Sequence, residues 1–130
     1  MTAYVETSAA AKLLIEETES AALSAYLDLL AERHVTVASS MVLETELRRL
    51  ATRHEIDQST VTELLDRFDL VTPDRAIFVE AGLLPGRYLR SLDALHVAIA
   101  LRINAEEFLA YDTRQSEAAR AVGLHVAAPT

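Results

Sequence analysis

The sequence predicts an α/β domain with a central, mostly parallel β-sheet flanked by helices. Short apolar segments alternate along the chain with longer segments whose apolar residues recur at helical spacing. The chain has 130 residues, of which 51% are hydrophobic, and this is enough to fill one core. No repeat, low-complexity segment or linker interrupts the pattern. We therefore expect a single domain over residues 1–130.

The N-terminal part of the chain predicts one strand and two helices. Residues 3–5 read Ala-Tyr-Val, which is typical of a short strand. Thr7 and Ser8 offer side-chain oxygens that can cap a helix over residues 9–15. A longer helix is predicted over residues 19–33, where alanine, leucine and tyrosine side chains recur at helical spacing.

The central part of the chain repeats this order. Residues 35–38 read Val-Thr-Val-Ala and predict a second strand, after which Ser39 and Ser40 are candidate caps for a helix over residues 41–53. Residues 57–68 show the amphipathic spacing of a further helix.

The C-terminal part starts with a short strand at residues 70–71, which Pro73 ends, and a helix over residues 74–84. Residues 83–87 read Leu-Leu-Pro-Gly-Arg, which breaks that helix and indicates a mobile loop. The remaining predicted elements are a strongly apolar helix over residues 92–101 capped by Ser91, a strand over 107–111, a helix over 113–122 and a strand over 124–126.

Composition limits the possible classes of protein. No run of about 18 uncharged apolar residues and no secretory leader is present, so we expect a cytoplasmic protein that does not enter a membrane. The chain has no cysteine, which excludes disulfides, thiolate metal sites and cysteine nucleophiles. Its net charge of -8 argues against broad attraction to nucleic acid but leaves room for a local basic groove.

Acidic residues stand at corresponding places on several elements. Glu6 and Asp112 each follow a predicted strand and precede a helix, and Asp93 lies in the first turn of the apolar helix. Because parallel strands bring their carboxyl ends to one edge of a sheet, we expect these three carboxylates to lie close together. The alternative for Glu6 is a helix cap, and an acid in a first helical turn is also common without any ligand.

Glu46 lies within the apolar stripe of its predicted helix, between Leu43, Leu47 and Leu50. An unpaired buried carboxylate is disfavoured and needs a cation or an arginine, so both a metal ligand and a structural partner are open for Glu46. His96 follows Asp93 by three residues in the apolar helix, and a hydrogen-bonded core histidine is the simpler reading for it than a metal ligand.

Four carboxylates gathered in one place favour a divalent cation, because like charges repel and are costly to bury without a counter-ion. Ligands that are all oxygen point to Mg²⁺ or Mn²⁺ before Zn²⁺. The chain has three glycines and no glycine-rich phosphate loop, no His-Glu-x-x-His zinc motif and no Gly-x-Ser-x-Gly elbow. A metal site formed by Glu6, Glu46, Asp93 and Asp112 is therefore the leading hypothesis.

Four stretches surround these acids: Tyr-Val-Glu-Thr-Ser-Ala at residues 4–9, Glu-Leu-Arg-Arg-Leu at 46–50, Leu-Asp-Ala-Leu-His-Val-Ala at 92–98 and Tyr-Asp-Thr-Arg at 111–114. In this order they resemble the PIN-domain family and, within it, the VapC-type toxins of toxin-antitoxin pairs. The resemblance covers nearly the whole chain. The first acid of the family is ordinarily Asp, whereas this chain has Glu6, whose extra methylene lengthens its reach by about 1.5 Å.

The resemblance implies a three-layer PIN fold and a Mg-dependent endoribonuclease toxin that cuts structured RNA such as tRNA or rRNA. It also implies a homodimer and a cognate VapB-like antitoxin that inserts a segment into the acidic groove. The carboxylate quartet would hold Mg²⁺ or Mn²⁺, with Thr7, Ser8 and Thr113 in supporting roles. The arginines that we expect along the RNA track are Arg48, Arg49, Arg87, Arg90 and Arg114.

Two alternatives are open at this point. The first is a PIN-fold module whose metal site is impaired by Glu6 and which acts mainly by binding antitoxin or RNA. The second is a receiver-like regulatory α/β domain, which is disfavoured because no adjacent pair of acids follows the first strand and no lysine ends a late strand.

Overall fold

The computed structural model describes residues 1–130 and places the first strand at the centre of a five-stranded sheet. The strands are β1 Thr2–Val5, β2 Thr36–Ser40, β3 Asp69–Val71, β4 Glu107–Leu109 and β5 Val126–Ala127. The helices are α1 Thr7–Leu14, α2 Ser20–Glu32, α3 Val42–Arg53, α4 Gln58–Leu65, α5 Arg75–Gly82, α6 Ser91–Arg102 and α7 Thr113–Ala121. Every element that the sequence predicts is present, with ends that differ by a few residues.

The sheet has the strand order β3-β2-β1-β4-β5, and all four strand pairings are parallel. In the central strand Tyr4 pairs with Ala38 of β2 on one side and with Phe108 of β4 on the other. Because every strand points the same way, the residues that follow β1, β2 and β4 all emerge at one edge of the sheet.

Helices cover both faces of the sheet, which confirms the three-layer α/β prediction. Ala3 and Val5 of β1 pack with α1 to α4 in one hydrophobic cluster, whereas Tyr4 packs with α5 to α7 in a second cluster. This division follows from the strand geometry, since successive side chains point to opposite faces. None of the helices is long and apolar enough to cross a membrane.

The helix caps differ from those that the sequence predicts. Glu6, rather than Thr7 or Ser8, is the N-cap of α1, and its side chain accepts hydrogen bonds from the first turn. Ser39 and Ser40 are the last residues of β2, although the Ser40 hydroxyl still accepts a hydrogen bond from the start of α3. Strand pairing holds these two serines, so the helix begins later than their capping propensity indicates.

Helix α6 is buried on all sides from Ala94 to Ala100. The N-cap position is held by Arg90, whose side chain makes no capping hydrogen bond. Ser91 is the first residue of the helix and not the predicted cap. Asp93 stands in the first turn of this helix and is half-buried. The core therefore fixes the helix, and through it the position of Asp93 near the carboxyl ends of the strands.

Candidate functional site

Glu6 is a buried carboxylate at the end of β1. Its Oε1 atom accepts hydrogen bonds from the Ser8 amide at 2.7 Å, the Ala9 amide at 3.3 Å and the Ser8 hydroxyl. Only 2% of the residue is exposed, and this burial raises the pKa of Glu6 to about 7, although the hydrogen bond from Ser8 opposes the shift. The helix-cap interpretation of Glu6 is confirmed, while Oε2 makes no protein hydrogen bond and stays free for another role.

Ser8 joins the ends of two neighbouring strands. Its hydroxyl donates to Glu6 after β1, and it accepts hydrogen bonds from the Tyr111 amide at 2.8 Å and the Asp112 amide at 3.2 Å after β4. The serine therefore fixes the backbone of Asp112 relative to Glu6.

Glu46 reaches the same edge from α3. Its Oε1 atom accepts a hydrogen bond from the Thr7 hydroxyl at 2.7 Å and lies 2.7 Å from Nε2 of His96. The Glu46 side chain is 20% exposed, whereas that of His96 is fully buried. Glu46 thus has structural partners, as one of its two interpretations requires, and its Oε2 atom makes no protein hydrogen bond.

Asp93 and Asp112 form the open side of the site. Burial and the neighbouring carboxylate of Asp112 raise the pKa of Asp93, and the charge of Glu46 acts in the same direction. Asp112 caps α7 by accepting a hydrogen bond from the Gln115 amide at 2.9 Å through Oδ1. The side-chain amide of Gln115 donates to the Asp93 carbonyl at 3.1 Å, so one residue holds both acids.

We refer to Glu6, Glu46, Asp93 and Asp112 together as the acidic edge. Their mutual influence supports the grouping, because the charge of Asp93 contributes to the raised pKa of Glu6 as well. Asp93 therefore lies near each of the other three acids, at the edge that the strand directions predict.

Beside Asp93 and Asp112 lies a cleft of about 1040 Å³. We call it the arginine-lined cleft, and its polar and aromatic walls are Arg87, Tyr88, Arg90, Asp93, Asp112, Thr113, Arg114 and Glu117. Three of the five predicted RNA-track arginines are among these residues. Arg48 is bound to Glu44, Gln58 and Thr62 between α3 and α4 instead, and Arg49 is exposed on α3 outside the cleft.

The acidic edge offers the ligands that a hard divalent cation prefers. Glu6, Glu46 and Asp112 each spend one oxygen on protein hydrogen bonds and keep the other free, and the Asp93 carboxylate makes none. This donor chemistry fits Mg²⁺ or Mn²⁺. No group of three or more His, Asp or Glu side chains, however, stands in an arrangement that could hold a metal ion.

Sequence reasoning missed two residues of this site. Tyr4 lies 2.6 Å from Nδ1 of His96, and Gln115 links Asp93 to Asp112. Their partners are distant in sequence, so local periodicity carries no signal for these contacts. His96 itself is a hydrogen-bonded core histidine, as predicted.

The all-parallel sheet with carboxylates gathered at the carboxyl ends of its strands defines the class of protein, an α/β domain with an acidic site at one edge of its sheet. The PIN domain family model matches residues 3–121. The chain therefore belongs to the PIN domain family, and its 35% identity to a VapC ribonuclease over 98% of its length places it among the VapC-type proteins. This membership excludes the receiver-like alternative.

Two relatives from Mycobacterium tuberculosis illustrate that likeness. Ribonuclease VapC46 is 35% identical over 130 residues, which span 98% of this chain and 97% of the relative. Ribonuclease VapC35 is 38% identical over 132 residues, spanning 97% of this chain and 96% of the relative.

Solved structures share the fold at lower sequence identity. The VapBC2 complex of Rickettsia felis, bound to a DNA fragment from its promoter, includes a chain with a TM-score of 0.77 and 18% identity, and the match covers all of both chains. VapC20 of Mycobacterium tuberculosis, a sarcin-ricin loop cleaving toxin, matches with a TM-score of 0.74 and 18% identity over 99% of this chain and 100% of that one.

Proposed function

We propose that this protein is a Mg-dependent endoribonuclease toxin of a toxin-antitoxin pair. The observation that carries the proposal is the acidic edge, where four carboxylates converge beside an arginine-lined cleft in a chain whose VapC relatives are named ribonucleases. Carboxylates that raise one another's pKa are costly for a fold to keep, and a cation offsets that cost.

The acids would hold one or two Mg²⁺ or Mn²⁺ ions through Glu6, Glu46, Asp93 and Asp112. When bound, such an ion activates a water for in-line attack on a phosphodiester and stabilises the leaving oxygen. The protein's own residues orient these ligands. Thr7 holds Oε1 of Glu46, so that Oε2 is the oxygen left for the ion.

The arginine-lined cleft supplies the binding surface for RNA in this proposal. Arg87, Arg90 and Arg114 lie on its walls beside Asp93, where guanidinium groups can pair with phosphates on either side of the cleaved bond. Thr113 lies beside Asp112 at the same wall and offers a hydroxyl to the RNA backbone. Arg48 and Arg49 are not part of this surface.

The substrate that we propose is a structured RNA, tRNA or rRNA, since VapC20 is described as a sarcin-ricin loop cleaving toxin. A cognate VapB-like antitoxin is proposed as the partner, because VapBC2 is a complex of this kind. An antitoxin arginine or lysine would neutralise the acidic edge in place of the metal. We also propose a homodimer.

The test is RNA cleavage under metal titration. We expect cleavage of tRNA or rRNA that requires added Mg²⁺ or Mn²⁺, with the cut mapped by sequencing of RNA ends. Asp93→Asn should abolish cleavage, because it removes the carboxylate that has no other bond in the site. Intact RNA with the parent protein at every metal concentration would count against the proposal.

A second candidate function is a PIN-fold module that binds antitoxin or RNA without cutting. Two observations favour it: Glu6 replaces the usual Asp and is engaged as the cap of α1, and no three acids are arranged to hold an ion. The Glu6→Asp variant separates the two candidates. Cleavage that appears only in Glu6→Asp supports the impaired module, whereas cleavage by both proteins supports the nuclease.

A further inference from the structure

A chain of polar side chains runs from the core to the acidic edge. Tyr4 Oη lies 2.6 Å from Nδ1 of His96, and Nε2 of His96 lies 2.7 Å from Oε1 of Glu46. The Thr7 hydroxyl donates to the same Oε1 at 2.7 Å. Tyr4 and His96 are fully buried, so loss of either hydrogen bond would leave a buried polar group without a partner and destabilise the protein.

The chemistry of Glu46 determines where the imidazole carries its proton. An ionised carboxylate only accepts hydrogen bonds, and Oε1 already accepts from Thr7. A bare Nε2 at 2.7 Å would place two acceptors against each other. The Thr7 hydroxyl lies 3.0 Å from Nε2 as well, but its single hydrogen is donated to Oε1. The contact between Nε2 and Oε1 is therefore favourable only if Nε2 bears a hydrogen.

The far side of the ring is fixed as well. The buried Tyr4 hydroxyl lies 2.6 Å from Nδ1 and donates its hydrogen to that nitrogen, which therefore carries none of its own. The Tyr4 ring stacks on Phe108 at 5.4 Å between centroids and meets the His96 ring edge-on at 5.7 Å. The imidazole therefore cannot turn without disturbing the core.

We propose that His96 is a positioning residue that holds Glu46 at the acidic edge through a hydrogen fixed on Nε2. Both donors to Glu46 use Oε1, which leaves Oε2 to face the ligand. This inference rests on the proposed function, because it assigns His96 a task in that site. Substitution of a residue that orients a metal ligand through a hydrogen bond commonly lowers the affinity for the metal by about 10–100-fold.

Long-range ¹H-¹⁵N NMR of the imidazoles in metal-free protein tests the proton position directly. The other three histidines, His34, His54 and His125, are exposed, so His96 should give one distinct buried signal that the His96→Gln variant lacks. We expect a protonated Nε2 whose signals move in Glu46→Gln. A bare Nε2 overturns the inference.

Binding of Mn²⁺, followed by electron paramagnetic resonance without RNA, tests the positioning role. A glutamine amide can occupy the place of Nε2, whereas the shorter asparagine reaches only the place of Nδ1. We expect His96→Asn to weaken Mn²⁺ binding about tenfold and His96→Gln to stay within about threefold of the parent. Equal affinity in all three proteins, or equal loss in both variants, overturns the inference.

Tyr26→Phe is the matched control, because it removes the hydrogen bond from the Tyr26 hydroxyl to Glu107 at the amino end of β4 and leaves the contact between His96 and Glu46. It should lower the melting temperature and leave Mn²⁺ affinity near that of the parent, so that stability loss is separated from positioning. Mn²⁺ bound without RNA cleavage contradicts the nuclease proposal alone. Unchanged Mn²⁺ affinity in His96→Asn, with cleavage intact, contradicts the positioning role alone.

Discussion

Gln115 donates its side-chain amide to the backbone carbonyl of Asp93 across 3.1 Å. The same residue is fully buried, and its Oε1 atom has no hydrogen-bond partner. The amide orientation is nevertheless settled, because the opposite orientation would place two oxygens face to face. The unsatisfied Oε1 indicates that the contact with Asp93 is retained at some cost to stability.

The Gln115→Met variant therefore tests whether the side-chain amide of Gln115 lowers the stability of the folded protein. Methionine fills a similar volume and removes both the useful donor and the unsatisfied oxygen, so we expect the free energy of unfolding to change by less than about 1 kcal/mol. Gln115→Glu should instead destabilise by about 2–4 kcal/mol at pH 7, because a buried charge would face a carbonyl near two carboxylates. Urea unfolding at pH 7 and pH 5 measures both effects.

The destabilisation by Gln115→Glu should shrink at pH 5, where the new carboxyl takes up a proton and can donate as the amide did. An equal loss at both pH values would show that shape, rather than charge, governs this position. An unfolded Gln115→Met variant would contradict the view that its oxygen is a liability.

Glu6 makes stability depend on pH. Its pKa is about 7 in the folded protein against an ordinary value of 4.5, so the folded state binds the proton more tightly than the unfolded state. Stability is then highest at and below pH 4.5 for this group and falls as the pH rises to about 7. The difference amounts to about 3 kcal/mol.

The Glu6→Gln variant should lack this loss of stability between pH 4.5 and pH 7. Urea unfolding from pH 4.5 to 8 in chelator-treated buffer measures the free energy of unfolding, which should depend less on pH in Glu6→Gln than in the parent. Glu16→Gln is the control, since Glu16 is exposed and makes no hydrogen bond through its side chain. A profile for Glu6→Gln that parallels the parent would mean that Glu6 is ionised in the folded protein at low pH.

Much of the fold follows from local sequence. Alternation of apolar strands with helices predicts every element and the parallel sheet, because burial on both faces of the sheet requires that pattern. The caps are predicted less well. Glu6 caps α1 because of where the end of β1 lies relative to that helix. Ser39 and Ser40 belong to β2 because strand pairing holds them. Both results depend on tertiary contacts and not on the local sequence.

The acidic edge was predictable for a related reason. Parallel strands bring the residues after β1 and β4 together whatever their details, so Glu6 and Asp112 could be grouped from strand directions alone. The partners of these acids could not be found in that way. Tyr4 and His96 are 92 residues apart, and Gln115 reaches Asp93 across 22 residues, so only tertiary packing decides which polar side chains meet.

Of the predicted RNA-track arginines, Arg87, Arg90 and Arg114 line the arginine-lined cleft, whereas Arg48 and Arg49 lie outside it. The variants Arg90→Gln and Arg114→Gln should therefore each weaken RNA binding several-fold. Each should also reduce the slope of log affinity against log salt by about 0.7, the value for one lost phosphate contact on a single strand. Fluorescence anisotropy on the Asp93→Asn background, which prevents cleavage, gives both quantities.

Arg33→Gln provides the comparison, because Arg33 caps the C-terminus of α2 and lies near the amino end of β2, opposite the acidic edge. It should leave the affinity and the salt slope unchanged. A loss in Arg33→Gln equal to that in Arg90→Gln would indicate diffuse attraction to RNA and remove the cleft from the RNA track.

Tyr88 is the one aromatic side chain that lines the arginine-lined cleft; 80% of the residue is exposed, and the Arg87 guanidinium lies 5.6 Å from its ring centroid. An exposed ring beside arginines is suited to stack on an unpaired base. Tyr88→Ala should therefore weaken binding of single-stranded RNA by about 1–3 kcal/mol, while Tyr88→Phe keeps it.

Filter binding with a loop-containing RNA and with a perfect duplex checks this prediction, because a duplex has no unstacked base to offer and should bind all variants equally. Phe78→Ala is the matched control: Phe78 is also exposed, at 53%, but stands outside the arginine-lined cleft. If Phe78→Ala weakens loop binding as much as Tyr88→Ala does, general loss of apolar surface explains the effect. If only Tyr88→Ala does so, and only for the loop, the unpaired base lies next to the acids that we propose to cut its backbone.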